Sequence, residues 1–231
     1  MNDVDIGFIH INYPRRRNIS ESSAATEYIR YIDRQGGDVT IYCPVSSSEQ
    51  DDLADDLDTQ FLDVEFSFPN HKGEEINRAI LKNREIVKHD VIHCYTGRAI
   101  PALGKLSKQH DIKTIITLNA YNSLCPKNDL LFLNQNSCKN RGDIKCSACT
   151  IHSNLSKLKN GTSIKDIIGI GHTQTNQFRD IRILNQVPNQ VDNIDMFHVY
   201  SDHSKDIYEE FGFPIDKFKQ IPLPVNEAFQ S

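Results

Sequence analysis

Four cysteines fall within 25 residues, at Cys125, Cys138, Cys146 and Cys149, spaced C-x12-C-x7-C-x2-C. In a cytosolic chain such a cluster suggests a metal before it suggests disulfides, because four thiolates can surround a tetrahedral zinc and a C-x2-C pair makes a chelating turn. Only one C-x2-C pair is present, so a structural zinc, free thiols and a single disulfide all stay open. Four thiolates leave no open coordination position, so a metal held this way is structural and not catalytic. Cys43 and Cys94 sit instead in the apolar runs V-T-I-Y-C-P and D-V-I-H-C-Y, where cysteine behaves as a small hydrophobe.

The remaining candidates follow short β-branched runs. Arg15-Arg16-Arg17 precede N-I-S-E-S-S at 18–23. Guanidinium groups beside the amides of a helix start suit phosphate oxygens, which makes Arg15, Arg16, Ser22 and Ser23 phosphate candidates; a solvated basic turn is the alternative. His93 and Tyr95 end D-V-I-H-C-Y, Asn119 and Tyr121 follow T-I-I-T-L, and Ser201 follows M-F-H-V-Y. His10 lies within an apolar run and is expected to be a hydrogen-bonded core histidine, while His93 stands between a core and a site reading. Gly169-Ile170-Gly171 lacks the third glycine of a dinucleotide fingerprint, and neither G-x-x-x-x-G-K-[ST] nor H-E-x-x-H occurs.

The elements that must hold these residues alternate. Strands are expected at Asp5–Ile11, Val39–Cys43, Phe61–Phe66, Val91–Cys94, Thr114–Leu118, Met196–Tyr200 and Phe218–Ile221. Helices are expected at Glu21–Arg34, Glu49–Asp58, Glu74–Lys88, Ile100–His110, Thr173–Leu184 and Ser204–Phe211. Such alternation predicts an α/β fold: a Rossmann-like, doubly wound, mostly parallel sheet with helices on both faces. Ligands of such folds sit beyond the carboxyl ends of the strands, so the four strand-end groups are expected on one rim. Between residues 119 and 163 the periodicity fails, and a long cysteine-containing loop is expected there.

At 231 residues the chain is long enough for one large α/β domain, and the alternation favours one domain over 1–224, with 225–231 opening a linker. Twenty-six basic against 31 acidic residues give a net charge of −5, which argues against a general nucleic-acid binder. No apolar run reaches the roughly 18 residues of a membrane span, and the start M-N-D-V-D lacks the features of a signal peptide. A cytoplasmic location is the expectation.

The segment T-L-N-A-Y-N-S-L-C-P-K-N-D-L-L-F at 117–132, with Cys138, Cys146 and Cys149 behind it, resembles the N-terminal, acceptor-side domain of family 4 (group 1) glycosyltransferases of the GT-B fold. Leu118, Tyr121, Leu124, Cys125, Pro126, Asp129, Leu130 and Leu131 carry the likeness. D-V-I-H at 90–93, G-G-D-V-T-I-Y-C-P at 36–44, F-H-V-Y-S at 197–201 and E-E-F-G-F-P-I-D-K-F-K-Q-I-P at 209–222 follow in the order found in that family.

The resemblance implies retaining transfer of a sugar from a nucleotide-sugar to a glycan, lipid-linked or small-molecule acceptor, with no catalytic metal or cofactor. His93, Tyr95, Asn119, Tyr121 and Ser201 would face the acceptor cleft. The donor diphosphate would meet Arg15, Arg16, Ser22 and Ser23, and its charge would be stabilised in the cleft. It also implies that the nucleotide-sugar is held mainly by a second domain absent from this sequence, so that the chain alone is expected to be inactive. Contact with a separate donor-domain protein, or with the inner face of a membrane, fits the same reading. Two departures stand out: N-I-S-E-S-S replaces the glycine pair after the first strand, and Asn119 replaces a histidine that contacts the transferred sugar. Asparagine can hydrogen-bond a hydroxyl but cannot take a charge. These departures favour the alternative, a non-catalytic carbohydrate-binding or regulatory module.

Overall fold

The computed structural model describes residues 4–10, 21–45, 58–64, 71–118, 120–158 and 163–222. Seven strands form one sheet: β1 (Asp5–Ile9), β2 (Asp38–Val45), β3 (Thr59–Asp63), β4 (Val91–Cys94), β5 (Lys113–Thr117), β8 (Met196–Val199) and β9 (Phe218–Gln220). Their order is β3-β2-β1-β4-β5-β8-β9, and every neighbouring pair is parallel. This is the doubly wound, Rossmann-like α/β architecture expected from the sequence. The winding reverses between β1 and β4, whose register pairs Phe8 with His93 and Ile9 with Cys94.

Helices cover both faces. On one, Ala25 and Ile29 of α1 (Glu21–Arg34) pack on Phe8, Val39, Ile41 and Cys43. The larger core lies on the other, where α2 (Lys72–Lys82), α3 (Ile100–His110) and α6 (Asp202–Glu210) bring Ile76, Ile80, Ile100, Leu103, Leu106 and Tyr208 to the sheet. Gly104 of α3 sets the closeness of one contact there. A Cβ on it would lie 2.8 Å from Gln190 Cβ and 2.9 Å from the Gln190 carbonyl oxygen. We predict that Gly104→Ala lowers stability by about 1–2 kcal/mol in urea melts, because the forced backbone shift outweighs the helix-propensity gain of roughly 1 kcal/mol.

Three stretches depart from expectation. The helix expected over Glu74–Lys88 runs from Lys72 to Lys82 and is followed by a separate 3-10 turn, Ile86–Lys88. Asn83 ends it: its backbone is extended, and its side-chain oxygen accepts from Glu85 N at 2.8 Å, a local bond that competes with the helix. The stretch expected to be a long loop holds a two-stranded hairpin, β6 (Leu131–Phe132) and β7 (Asn136–Ser137), and helix α4 (Asp143–Leu155). The helix expected from Thr173 starts earlier, as α5 (Ile164–Leu184), with a capping box between Ser163 and Asp166. The seam between α4 and α5 is polar, which hid α4 and the first turns of α5 from an apolar-period reading. Buried Asn154 donates to Gln174 and Gln177, each at 2.8 Å, and Gln174 donates to Thr150 at 3.0 Å. The helix expected at Glu49–Asp58 lies almost wholly outside the described residues.

No described helix is long and apolar enough to cross a membrane. The amino-terminal half of α5 nevertheless leaves Ile164, Ile167 and Ile168 exposed.

Candidate functional site

Parallel strands put all their carboxyl ends on one rim, so the residues after β1, β4, β5 and β8 share it. Alternation along each strand then brings His10, His93, Tyr95, Thr117, His198 and Tyr200 into a row across the sheet. Phe8 meets His93 edge-on at a centroid distance of 4.7 Å, and His10 stacks on Tyr95 at 5.5 Å. His198 and Tyr200 are 5.0 Å apart, and Tyr28 of α1 reaches His93 at 5.7 Å. The Tyr95 and Tyr200 hydroxyls share a hydrogen bond.

Within this row a chain of hydrogen bonds spans three strands. His93 Nε2 lies 2.7 Å from Thr117 Oγ1, Thr117 Oγ1 lies 3.0 Å from His198 Nδ1, and His198 Nε2 lies 2.9 Å from the Ile221 carbonyl. The carbonyl can only accept, so His198 carries its proton on Nε2 and accepts at Nδ1 from the Thr117 hydroxyl. Thr117 in turn accepts from His93 Nε2–H, which leaves His93 Nδ1 as an acceptor. Burial, reinforced by the neighbouring His198 and His10, pushes His93 down to about 3, and burial lowers His198 as well. All three side chains are thus uncharged at neutral pH.

His10 follows β1 directly, at the switch point. It is 3% exposed, yet among the described residues neither ring nitrogen has a hydrogen-bond partner. The sequence reading of a hydrogen-bonded core histidine is therefore corrected: it is buried but not satisfied. Burial holds its pKa near 4, so it is a neutral imidazole with one donor and one acceptor to offer.

The other expected site residues divide. Tyr95 joins the row, and Tyr121 stands in a 3-10 turn after β5, near Tyr208. Ser201 lies at the carboxyl end of β8, but its hydroxyl caps α6, accepting from Ser204 N at 3.2 Å. Ser22 and Ser23 fall in the first turn of α1, their side chains outside the described residues. Arg15, Arg16 and Asn119 also lie outside them.

A second polar cluster escaped the sequence reading altogether. Asp180 of α5, 6% exposed, receives Arg98 Nη2 at 3.1 Å and lies 3.3 Å from His71 Nε2. His71 precedes α2 and Arg98 follows β4, so both belong to the rim. Among the described residues Arg98 Nε and His71 Nδ1 are buried without partners. No sequence signal joins positions 82 apart.

The four clustered cysteines all line one small cleft, with Lys127, Phe132 and Lys145, and none is in a disulfide. Among the described residues no three Cys, His, Asp or Glu side chains already stand in a metal-holding arrangement.

Chemically, the row holds uncharged imidazoles and tyrosines, groups that exchange hydrogen bonds with hydroxyls, and its His10, His93, Tyr95 and His198 are buried. No family model matches the chain, and no curated protein does. Among solved structures it is similar to Anabaena Alr3699/HepE in complex with UDP and glucose, at 9% identity and a TM-score of 0.49, over 97% of this chain and 46% of that one. It is similar to Arabidopsis thaliana UGT89C1 complexed with UDP at 11% identity and a TM-score of 0.49, over 98% and 55%. For Os79 from O. sativa in complex with UDP the values are 9% and 0.44, over 96% and 53%. The chain thus spans about half the length of each of these proteins.

Proposed function

We propose that this domain is the acceptor-side half of a retaining glycosyltransferase that moves a sugar from a nucleotide-sugar to a hydroxylated acceptor without a catalytic metal. One observation carries the reading: His10, buried at the switch point of a doubly wound sheet with both ring nitrogens unpartnered among the described residues. A buried polar group without a partner costs about 1–3 kcal/mol, a cost that a bound hydroxyl would offset. Tyr95 stacks on His10 and fixes the plane of its ring. The sequence likeness centred on Cys125, Pro126, Asp129, Leu130 and Leu131 supports the same class.

In this reading His10 and His93 orient acceptor hydroxyls as neutral partners. The negative charge of the departing diphosphate is met elsewhere, by Arg15, Arg16 and a donor-binding domain, in the same polypeptide or a separate protein. His10 is too weak a base to be charged at neutral pH, so its part is positioning rather than charge stabilisation.

The test is saturation-transfer NMR with free sugars, oligosaccharides and soluble lipid-linked sugar phosphates. Wild type is expected to bind one of these classes, and His10→Ala to weaken that binding by about tenfold, the equivalent of one lost hydrogen-bonding group. Binding that is indifferent to His10→Ala, or absent from all three classes, would overturn the proposal.

A further inference from the structure

We infer that Cys125, Cys138, Cys146 and Cys149 together bind one structural zinc ion, which clips the segment behind β5 onto the rim. The inference stands apart from the glycosyltransferase reading and rests on three observations.

First, the four thiols come from different elements yet line the same cleft. Cys125 follows the 3-10 turn Tyr121–Ser123, Cys138 follows β7, and Cys146 and Cys149 lie one turn apart on α4. Their sulfurs now make separate weak contacts: Cys125 to Asp129 Oδ1 at 3.8 Å, Cys138 to the Asn140 carbonyl at 3.1 Å and Cys149 to the Leu131 carbonyl at 3.4 Å. Side-chain rotation toward the shared cleft would replace these contacts by metal–sulfur bonds. The backbone N–H of Leu133 already donates to Cys149 Sγ at 3.3 Å, the kind of outer bond that steadies a ligating sulfur.

Second, the cleft is ringed by cations suited to a site that four thiolates and one divalent ion leave at −2. Lys127 is 4% exposed, Lys145 lies 5.0 Å over the Phe132 ring, and Arg141 reaches the Ser123 carbonyl at 3.2 Å.

Third, the hairpin between Cys125 and Cys138 is small. Its strands are two residues each, and four non-glycine residues near the turn are left-handed: Asn128, Leu130, Leu133 and Asn134. Such backbone persists in leucine only where surroundings over-determine it. A small unit with few buried apolar residues needs a staple, which a tetrathiolate zinc supplies. The clip also reaches the rim: Cys125 N donates to Tyr121 O at 2.8 Å, and Ser123 Oγ to Tyr208 Oη at 3.1 Å.

The experiment uses the purified full chain, prepared with reductant and zinc and then desalted. Mass-spectrometric metal analysis is expected to give about one zinc per chain, released when the thiols are blocked with an organomercurial. Cobalt substitution is expected to give the thiolate-to-metal charge-transfer and tetrahedral ligand-field bands of a four-sulfur site. Cys146→Ser/Cys149→Ser should lose the zinc and Cys43→Ser should keep it. Because the first two measurements use wild type alone, they decide the matter even if the double variant fails to fold. Zinc far below one per chain, cobalt bands without sulfur character, or a Cys146–Cys149 disulfide in the reduced preparation would each overturn the inference.

Discussion

Acidification from pH 7 to 4 is expected to destabilise the domain by on the order of 6 kcal/mol through His10 and His93. Both have folded-state pKa values lowered by burial, from 6.5 to about 4 and about 3. Below pH 6.5 the unfolded chain takes up these two protons while the folded one does not, so stability falls as pH falls. Each histidine contributes a slope of about 1.4 kcal/mol per pH unit, and its contribution levels off once the pH drops below its folded value. His198, also lowered by burial, adds to the effect with the same sign. Urea melts at pH 7, 6, 5 and 4 measure it, and His10→Gln/His93→Gln should flatten the dependence above pH 5, where carboxylates contribute least. Parallel losses in wild type and variant would show that the two histidines are not what titrates.

Thr117→Val is expected to destabilise by about 2–5 kcal/mol. The substitution keeps shape and β-branching but removes the hydroxyl that accepts from His93 Nε2 and donates to His198 Nδ1. Both ring nitrogens would then be buried beside a methyl group, each at the cost of an unsatisfied polar group. Thr117 is fully buried, so water cannot step in without rearrangement. Thr117→Ser retains the hydroxyl and should lose only about 1 kcal/mol, the worth of one methyl. Equal stabilities for the two variants would refute the bridge. Imidazole nitrogen shifts give a second readout, with Nε2–H expected on both histidines in wild type.

The sheet was legible because its strands are short β-branched runs, such as V-T-I-Y-C and T-I-I-T, set between helices with apolar stripes. Parallel strands buried on both faces leave that trace whatever the chain does elsewhere. Helix α4 was not legible, since what it buries toward α5 is Thr150 and Asn154, satisfied by glutamines more than twenty positions away. The placement of His93 and Tyr95 at the carboxyl end of β4 was legible because position along a strand is a local property. His10 was misjudged because hydrogen-bond satisfaction is a property of the assembled fold: an apolar run shows that a histidine will be buried, not whether anything awaits it. Asp180 was invisible for the same reason, its partners His71 and Arg98 belonging to other elements.

The pairing of β1 with β4 also bears on how fast the domain can form. Asp5 and Asp90, which share a hydrogen bond, are separated by 85 positions, and Thr114 and Asp195 by 81. No strand of the main sheet pairs through a hairpin, so each neighbour must be met across a long closure whose entropy is lost before contact compensates it. Folding is therefore governed by non-local encounters, on a timescale of roughly milliseconds to seconds. The histidine row draws on β1, β4, β5 and β8, so it cannot exist in any intermediate that lacks one of those encounters. A ligand for this rim meets either the finished sheet or no site at all, and it would stabilise the native state chiefly by slowing unfolding rather than by guiding assembly.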